Sequence, residues 1–248
     1  MLRNNLLTIT PRRAKKHQRS TINDAKEFPL YSIAEVANSL RMAPSVLTSW
    51  TLPKLQHGKK SETFDPLIRL PESHSGEGRL SFFNVIEVHV LLGMRRDHRI
   101  PMLEIRRAVH GLRDTTDSAH PLADYDFKTK GQHVFIEMLG SVLDLSQGRQ
   151  HIILDVLDKY LQRIRRDQSG TAFRLTPIAP GMPSNAEPVM IDMRFASGKL
   201  VILNTGIRAS VVEGRFKAGH TVEKLAHDYN LSVSQIQGAL DYLKEAAA

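Results

Sequence analysis

Among the 248 residues of this chain there is not one cysteine. That absence excludes a disulfide framework, a thiolate zinc or iron–sulfur site and a thiol nucleophile, and it fits a reducing cytoplasm. Long apolar runs are missing as well. No stretch approaches the roughly 20 residues that a membrane-spanning helix needs, and the N-terminus lacks the continuous apolar segment of a secretion signal. The expectation is a soluble, cytoplasmic protein with no membrane partner. Catalytic spacings are missing too. The eleven histidines include no i, i+4 pair with a Glu between them on a helix, no glycine-rich phosphate loop follows a strand, and no Ser sits in a nucleophile elbow. Asp124 and Asp126 read as turn residues of a polar loop rather than cation ligands, and Asp155 and Asp158 as the solvent side of a helix. No enzymatic activity, metal or cofactor is expected.

What is present is a basic chain with enough apolar material to build cores. Lys and Arg number 34 against 26 Asp and Glu, a formal charge of +8 and a pI of about 9.8. The length suits one large or two to three small domains. A positive excess favours a polyanionic partner, because cations that neutralise phosphates release counterions. Its distribution is uneven. Residues 1–27 hold Arg3, Arg12, Arg13, Lys15, Lys16, Arg19 and Lys26 against Asp24 and Glu27, a net +5. Two readings stand for this basic arm: a solubilising tail, or an arm that tracks DNA phosphates or enters a minor groove. Asp24, Glu27 and the lack of an amphipathic stripe argue against a transit peptide.

After a short extended entry, "FPLYS", two compact helices are expected. Ser32 can cap the first, with Ile33, Val36, Ala37 and Leu40 on its inner side. Pro44 stands at the first position of the second, whose apolar side is Val46, Leu47 and Trp50. Two short helices across a tight turn make a helix-turn-helix pattern, and Trp50 reads as core. The apolar runs 67–70 and 79–83, separated by "PESHSGEG", read as a β-hairpin, hence a wing. Lys54, Lys59, Lys60, Arg69 and Arg79 would then lie near a nucleic-acid backbone, or singly be solvated charges. Residues 82–97 are apolar nearly all round and predict a buried helix, with His89 a core histidine. A further helix follows Pro101, with Met102, Ile105, Val109 and Leu112 inward and Arg106, Arg107 and Arg113 on other faces.

Residues 114–130 are polar and read as a linker or surface loop. "HVFIEM" is strand-like. "QHIILDVLDKYLQRIRRD" is amphipathic, with Ile152, Ile153, Val156, Leu157, Tyr160, Leu161 and Ile164 in one stripe, serving core packing or self-association. "FRLTPI" suggests a strand, "APGMPSNAEP" a linker, and "VMI" and "LVIL" two short strands. Thr221 can cap a helix carrying Val222, Leu225 and Ala226. Tyr229 and Asn230 form a turn, and Ser232 with Gln235 starts a capping box for a helix packing Ile236, Leu240 and Leu243. This is a second helix-turn-helix.

The run "YSIAEVANSLRMAPSVLTSWTLP" with "LSFFNVIEVHVLLGMRRDHRIPMLEIRRAV" resembles the MerR-like winged-helix DNA-binding domain, with Ser49 where that family often has Arg before the Trp. The run "VILNTGIRAS" through "RFKAGHTVEKLAHDYNLSVSQIQGALDY" resembles a short domain found in antitoxins encoded beside PIN-like ribonuclease toxins. Many of its members have Pro where Met193 and Lys199 stand here. The order of the two resembles large VapB-type antitoxins.

These resemblances imply an α+β, mainly α chain. Its parts would be a basic arm (1–27), a MerR-like winged helix-turn-helix (28–113), a small central α/β segment (114–184) and C-terminal short strands plus a helix-turn-helix (185–248). They imply a dimeric antitoxin that binds operator DNA, neutralises a PIN-like ribonuclease toxin and represses its own operon. Second helices would read bases, through Ser45, Thr48 and Ser49 in the first unit and Ser234, Gln235 and Gln237 in the second. Two alternatives remain open. One is a MerR-like transcriptional regulator switched by a small ligand at 114–180. The other is a protein-interaction module whose C-terminal unit never touches DNA, favoured by the acidic balance of 221–248.

Overall fold

The computed structural model describes residues 26–56, 62–72, 78–98, 100–116, 118–124, 127–143, 147–183 and 185–244. The basic arm up to residue 25, Lys59, Lys60 and Asp126 lie outside them. The fold is α+β and mainly helical, with one small four-stranded antiparallel sheet.

The first helices form where their caps demand. In α1 (Ile33–Ser39) the Ser32 hydroxyl accepts from Glu35 N–H at 3.2 Å, and Val36 and Ala37 turn inward. Arg41 stands in the left-handed region at φ 55° just beyond the helix, and Met42 N–H returns to Ala37 O at 2.9 Å. Such an end satisfies carbonyls left over by the last turn. Pro44 then opens α2 (Pro44–Thr51), which buries Leu47 and Trp50.

The hairpin is not where the apolar runs place it. It is β1 (Lys54–Gln56) against β2 (Glu62–Phe64), registered Lys54 to Phe64. Leu67 and Ile68 are fully buried without strand pairing, and Ile68 N–H donates to Trp50 O at 2.9 Å. Leu80 pairs instead with Tyr31 of the entry segment, through reciprocal bonds of 2.8 and 3.0 Å. The two runs are apolar because they plug the core beneath the hairpin, a burial signal that a short strand also carries.

Two long helices follow, α3 (Phe82–His98) and α4 (Met102–Thr116). The stretch after α4 is anchored rather than loose, since Leu122, Ala123 and Phe127 are buried. A π-helical turn (Phe127–Gly131) leads into α5 (Gln132–Leu143), so "HVFIEM" is helical. Phe135, Ile136 and Leu139 bury at helical spacing, whereas the β-branched and aromatic composition favours a strand locally. Tertiary burial decides. Next, α6 (Gln147–Leu161) buries Ile153, Leu157, Tyr160 and Leu161, and leaves Ile152 exposed. Helix α3 packs on α6, and α4 on α5. Gly93 makes the first contact close: a Cβ there would stand 2.5 Å from the Tyr160 ring.

The helix stops before Ile164, which begins β3 (Ile164–Arg166). The sheet continues through β4 (Ala172–Leu175), β5 (Val189–Asp192) and β6 (Leu200–Ile202) in sequential antiparallel order. Three helices complete the chain: α7 (Ala209–Lys217), α8 (Val222–Tyr229) and α9 (Val233–Leu243). Helix α7, not expected from the sequence, adds a third helix to the unit. Thr221 caps α8, Asn230 ends it at φ 53°, and Ser232 with Gln235 makes the capping box of α9. One apolar core runs from Tyr31 to Ile191, across helices and sheet alike. A second gathers Val189, Ile202, Val212, Leu225, Ile236 and Tyr242 under the last three helices.

Candidate nucleic-acid and partner interface

Helix α2 is two-faced. Leu47, Trp50 and Thr51 go inward, Ser45 and Ser49 are exposed, and Thr48 is half-buried. The Thr48 hydroxyl donates to Pro44 O at 3.0 Å and the Ser49 hydroxyl to Val46 O at 2.6 Å. Both oxygens keep lone pairs for an outside donor. Lys54 lies on β1. Arg69 is exposed and pairs with Asp65 at 2.8 Å, and Arg79 is half-buried. The structure therefore brings Ser45, Thr48 and Ser49 onto one helix, followed directly by the hairpin strand of Lys54.

What holds this surface in place went unread in the sequence. Arg106 and Arg113, assigned to outer faces of α4, are buried. Arg106 donates to Asp65 O at 2.8 Å and reaches Ser49 O at 3.4 Å. Arg113 donates to Pro66 O at 3.1 Å and Leu67 O at 2.6 Å. The two guanidiniums tie the segment after the hairpin, and the end of α2, to α4. Burial lowers the pKa of both. Their spacing of seven, beside Ile105 and Leu112 of the inward stripe, is the signal that would have exposed them.

A polar cluster lies on the other side of α3. Glu87 is buried and takes His120 Nδ1 at 3.0 Å, and Asn84 Nδ2 stands 3.4 Å from the same oxygen. Its other carboxylate oxygen has no hydrogen-bond partner among the described residues. Burial alone would lower the His120 pKa, but the hydrogen bond and charge of Glu87, with Glu27 and Asp124, raise it above the ordinary value. Asp124 is raised as well, by burial and by Glu87. His89, deeper in α3, bonds Tyr160 O at 3.2 Å and is pushed down to about 3 by burial. It is a neutral core histidine.

In the C-terminal helix pair the candidate readers are already engaged. Gln235 Oε1 accepts from Ser232 N–H at 3.0 Å within the capping box. Gln237 donates to Asp241 at 2.8 Å, and the Ser234 hydroxyl meets that of Ser232 at 2.9 Å. Arg215 pairs with Asp228 at 2.5 Å, which lowers the Asp228 carboxyl. In β5 the buried Asp192 holds Arg174 at 2.7 Å and Arg194 at 2.8 Å. Burial opposes its ionisation, yet these two arginines keep its pKa below the ordinary range.

This unit sits directly on the first helix pair. The Tyr31 hydroxyl donates to Gly198 O at 2.9 Å, and the Tyr242 hydroxyl to Ser39 O at 2.6 Å. Lys199 pairs with Glu35 at 2.6 Å, and Arg41 donates to Lys244 O. Burial raises the pKa of both tyrosines well above the ordinary value, so both stay protonated donors. Gly198 is required here: at φ +73° its missing Cβ leaves room for the Tyr31 hydroxyl. Met193, whose sulfur is 3.6 Å from that hydroxyl, and Lys199 both belong to this contact.

These features can be set beside known proteins. The family model described as a protein of unknown function (DUF433) matches residues 189–243, from β5 through α9. The chain is also similar to "Putative antitoxin VapB45" of Mycobacterium tuberculosis. The two are 27% identical over 231 residues, covering 87% of this chain and 94% of the relative. The crystal structure of Rv2018 from the same organism superposes with a TM-score of 0.63 at 25% identity, covering 86% of this chain and 98% of that one. The likeness thus extends well beyond the family segment. Among the described residues no helix is long and apolar enough to cross a membrane, and no group of three or more His, Asp or Glu is placed to hold a metal ion.

Proposed function

We propose that this chain is the DNA-binding antitoxin of a type II toxin–antitoxin pair, which neutralises a PIN-like ribonuclease and represses its own operon from the cytoplasm. The observation that carries this reading is the similarity to "Putative antitoxin VapB45", which spans nearly the whole of both chains. The N-terminal unit, residues 28–113, acts as a MerR-like winged helix-turn-helix. Helix α2 enters a major groove with Ser45, Thr48 and Ser49 as base readers, and Lys54, Lys59, Lys60, Arg69 and Arg79 are assigned to the phosphates. Two copies bind as a homodimer on a two-fold operator.

The second helix pair is given to the protein partner. Gln235 and Gln237 are tied into their own helix, and residues 221–248 carry Glu223, Asp228, Asp241 and Glu245 against Lys224 and Lys244. A segment of that charge balance gains less from phosphates than a basic one. A gel-shift assay on the operon's own promoter tests the division of labour with full-length variants, because the sheet joins β4 to β5 across any cut near residue 184. Ser49→Glu is expected to weaken binding at least tenfold, and Ser234→Glu to leave it within twofold. Equal loss from both would assign DNA to both helix pairs. No shift by the wild-type chain at low salt would end the DNA-binding reading.

A further inference from the structure

Between α1 and the C-terminal unit lies a groove of about 940 Å³, walled by α1 on one side and by the start of β6, α7 and the end of α9 on the other. Its apolar lining is Leu200, Phe216, Leu240 and Leu243, and Phe216 is 43% exposed, so a large ring on the lip of a concave site has no cover among the described residues. Cations surround this floor. Lys199 and Lys217 are neutralised by Glu35 and Glu213, each at 2.6 Å, and Lys244 by Asp241. Among the described residues the Arg41 guanidinium bonds a main-chain carbonyl and no carboxylate. Arg208, exposed at the start of α7, makes no ion pair or side-chain hydrogen bond among the described residues. The groove therefore offers an apolar floor under two arginine charges that no carboxylate balances among the described residues.

We infer that this groove receives an acidic segment of the protein partner, one that carries at least one large apolar side chain. The inference rests on the antitoxin reading and names the surface through which the partner is held. The floor decides against nucleic acid: a phosphate backbone would meet the arginines but gain nothing from Phe216 and Leu243. An acidic strand or helix uses both, anchoring an apolar side chain in the floor and a carboxylate on Arg208. Because α1 forms one wall, the occupant touches both the first helix pair and the C-terminal unit, and closes over the contact made by Tyr242 and Arg41.

The test titrates the full-length chain with the purified product of the adjoining reading frame. Arg208→Glu is expected to weaken the complex at least tenfold and to flatten its salt dependence. Phe216→Ala is expected to weaken it about fivefold or more at every salt concentration. Both positions are solvent-facing, and unchanged thermal melts establish that the variants fold. If the wild-type complex forms and both variants bind as tightly, the groove is not the docking surface and the antitoxin reading stands. If the variants lose promoter DNA but keep the protein, the groove is a phosphate track and the inference is overturned. If the wild-type chain forms no complex at all, the antitoxin reading itself fails and the groove assignment falls with it.

Discussion

Arg113 is where fold and candidate interface meet most directly. Its guanidinium is buried on α4, bonds the carbonyls of Pro66 and Leu67, and lies close enough to Glu87 to feel its charge. Arg113→Met keeps an unbranched apolar stem and removes every donor. Each charge-assisted bond to a carbonyl is worth about 1.5–3 kcal/mol, and relief from burying a cation returns part of the sum, leaving a net loss of about 2–4 kcal/mol. In a chain of this size 1 kcal/mol moves Tm by about 2–4 °C, so a fall of roughly 4–16 °C is expected by calorimetry. Function follows from position. The freed 65–67 segment no longer fixes the end of the hairpin against α2, so on the proposed function affinity for promoter DNA should drop about tenfold although no proposed DNA-contacting side chain has changed. A variant that melts within 1 °C of wild type and shifts DNA equally well would refute the clamp.

Three further outcomes can be measured. Trp50→Ala empties a buried site in the first helix pair and should cost about 3–5 kcal/mol; a urea titration showing unchanged stability would contradict its core role. Tyr242→Phe deletes only the hydroxyl that reaches Ser39 and should cost about 0.5–1.5 kcal/mol, visible also as faster hydrogen exchange at the end of α1, and unaltered exchange would argue against the contact. The third concerns pH. His120 has a folded pKa above its ordinary 6.5, so its stabilising pair with Glu87 is complete below pH 6.5 and is lost as pH rises through the folded value. His89 acts oppositely, because a histidine held neutral in the fold costs stability as pH falls below 6.5. The difference between wild type and His120→Gln isolates the first: it should shrink from pH 6 to pH 8, and a constant difference would discard the pairing.

The parts of this fold written into neighbouring residues were readable. Ser32, Pro44, Thr221 and the Ser232–Gln235 box mark helix starts because capping is a contact three residues long. The strand pieces at 189–192 and 200–202 were readable for the same reason: short apolar runs flank an obvious turn. What failed was whatever depended on distant partners. Leu67, Ile68 and Leu80 look like strand residues, yet they fill a core whose other wall is helical. Arg106 and Arg113 look like surface charges until the carbonyls of Asp65, Pro66 and Leu67 arrive over them. Phe135 and Leu139 share a helical face only because α4 packs there. The candidate interface divides in the same way. The candidate reader positions on α2 follow from a local helix-turn-helix pattern, whereas the seat of the C-terminal unit on α1 joins residues more than 160 positions apart.

The most direct measurement is growth rescue in a bacterial host that carries the protein of the adjoining reading frame under an inducible promoter. Induction alone should arrest growth with RNA cleavage, and co-expression of the wild-type chain should restore growth and halt cleavage. Arg208→Glu should restore growth poorly at equal expression. Continued arrest with the wild-type chain present and folded would contradict the antitoxin function.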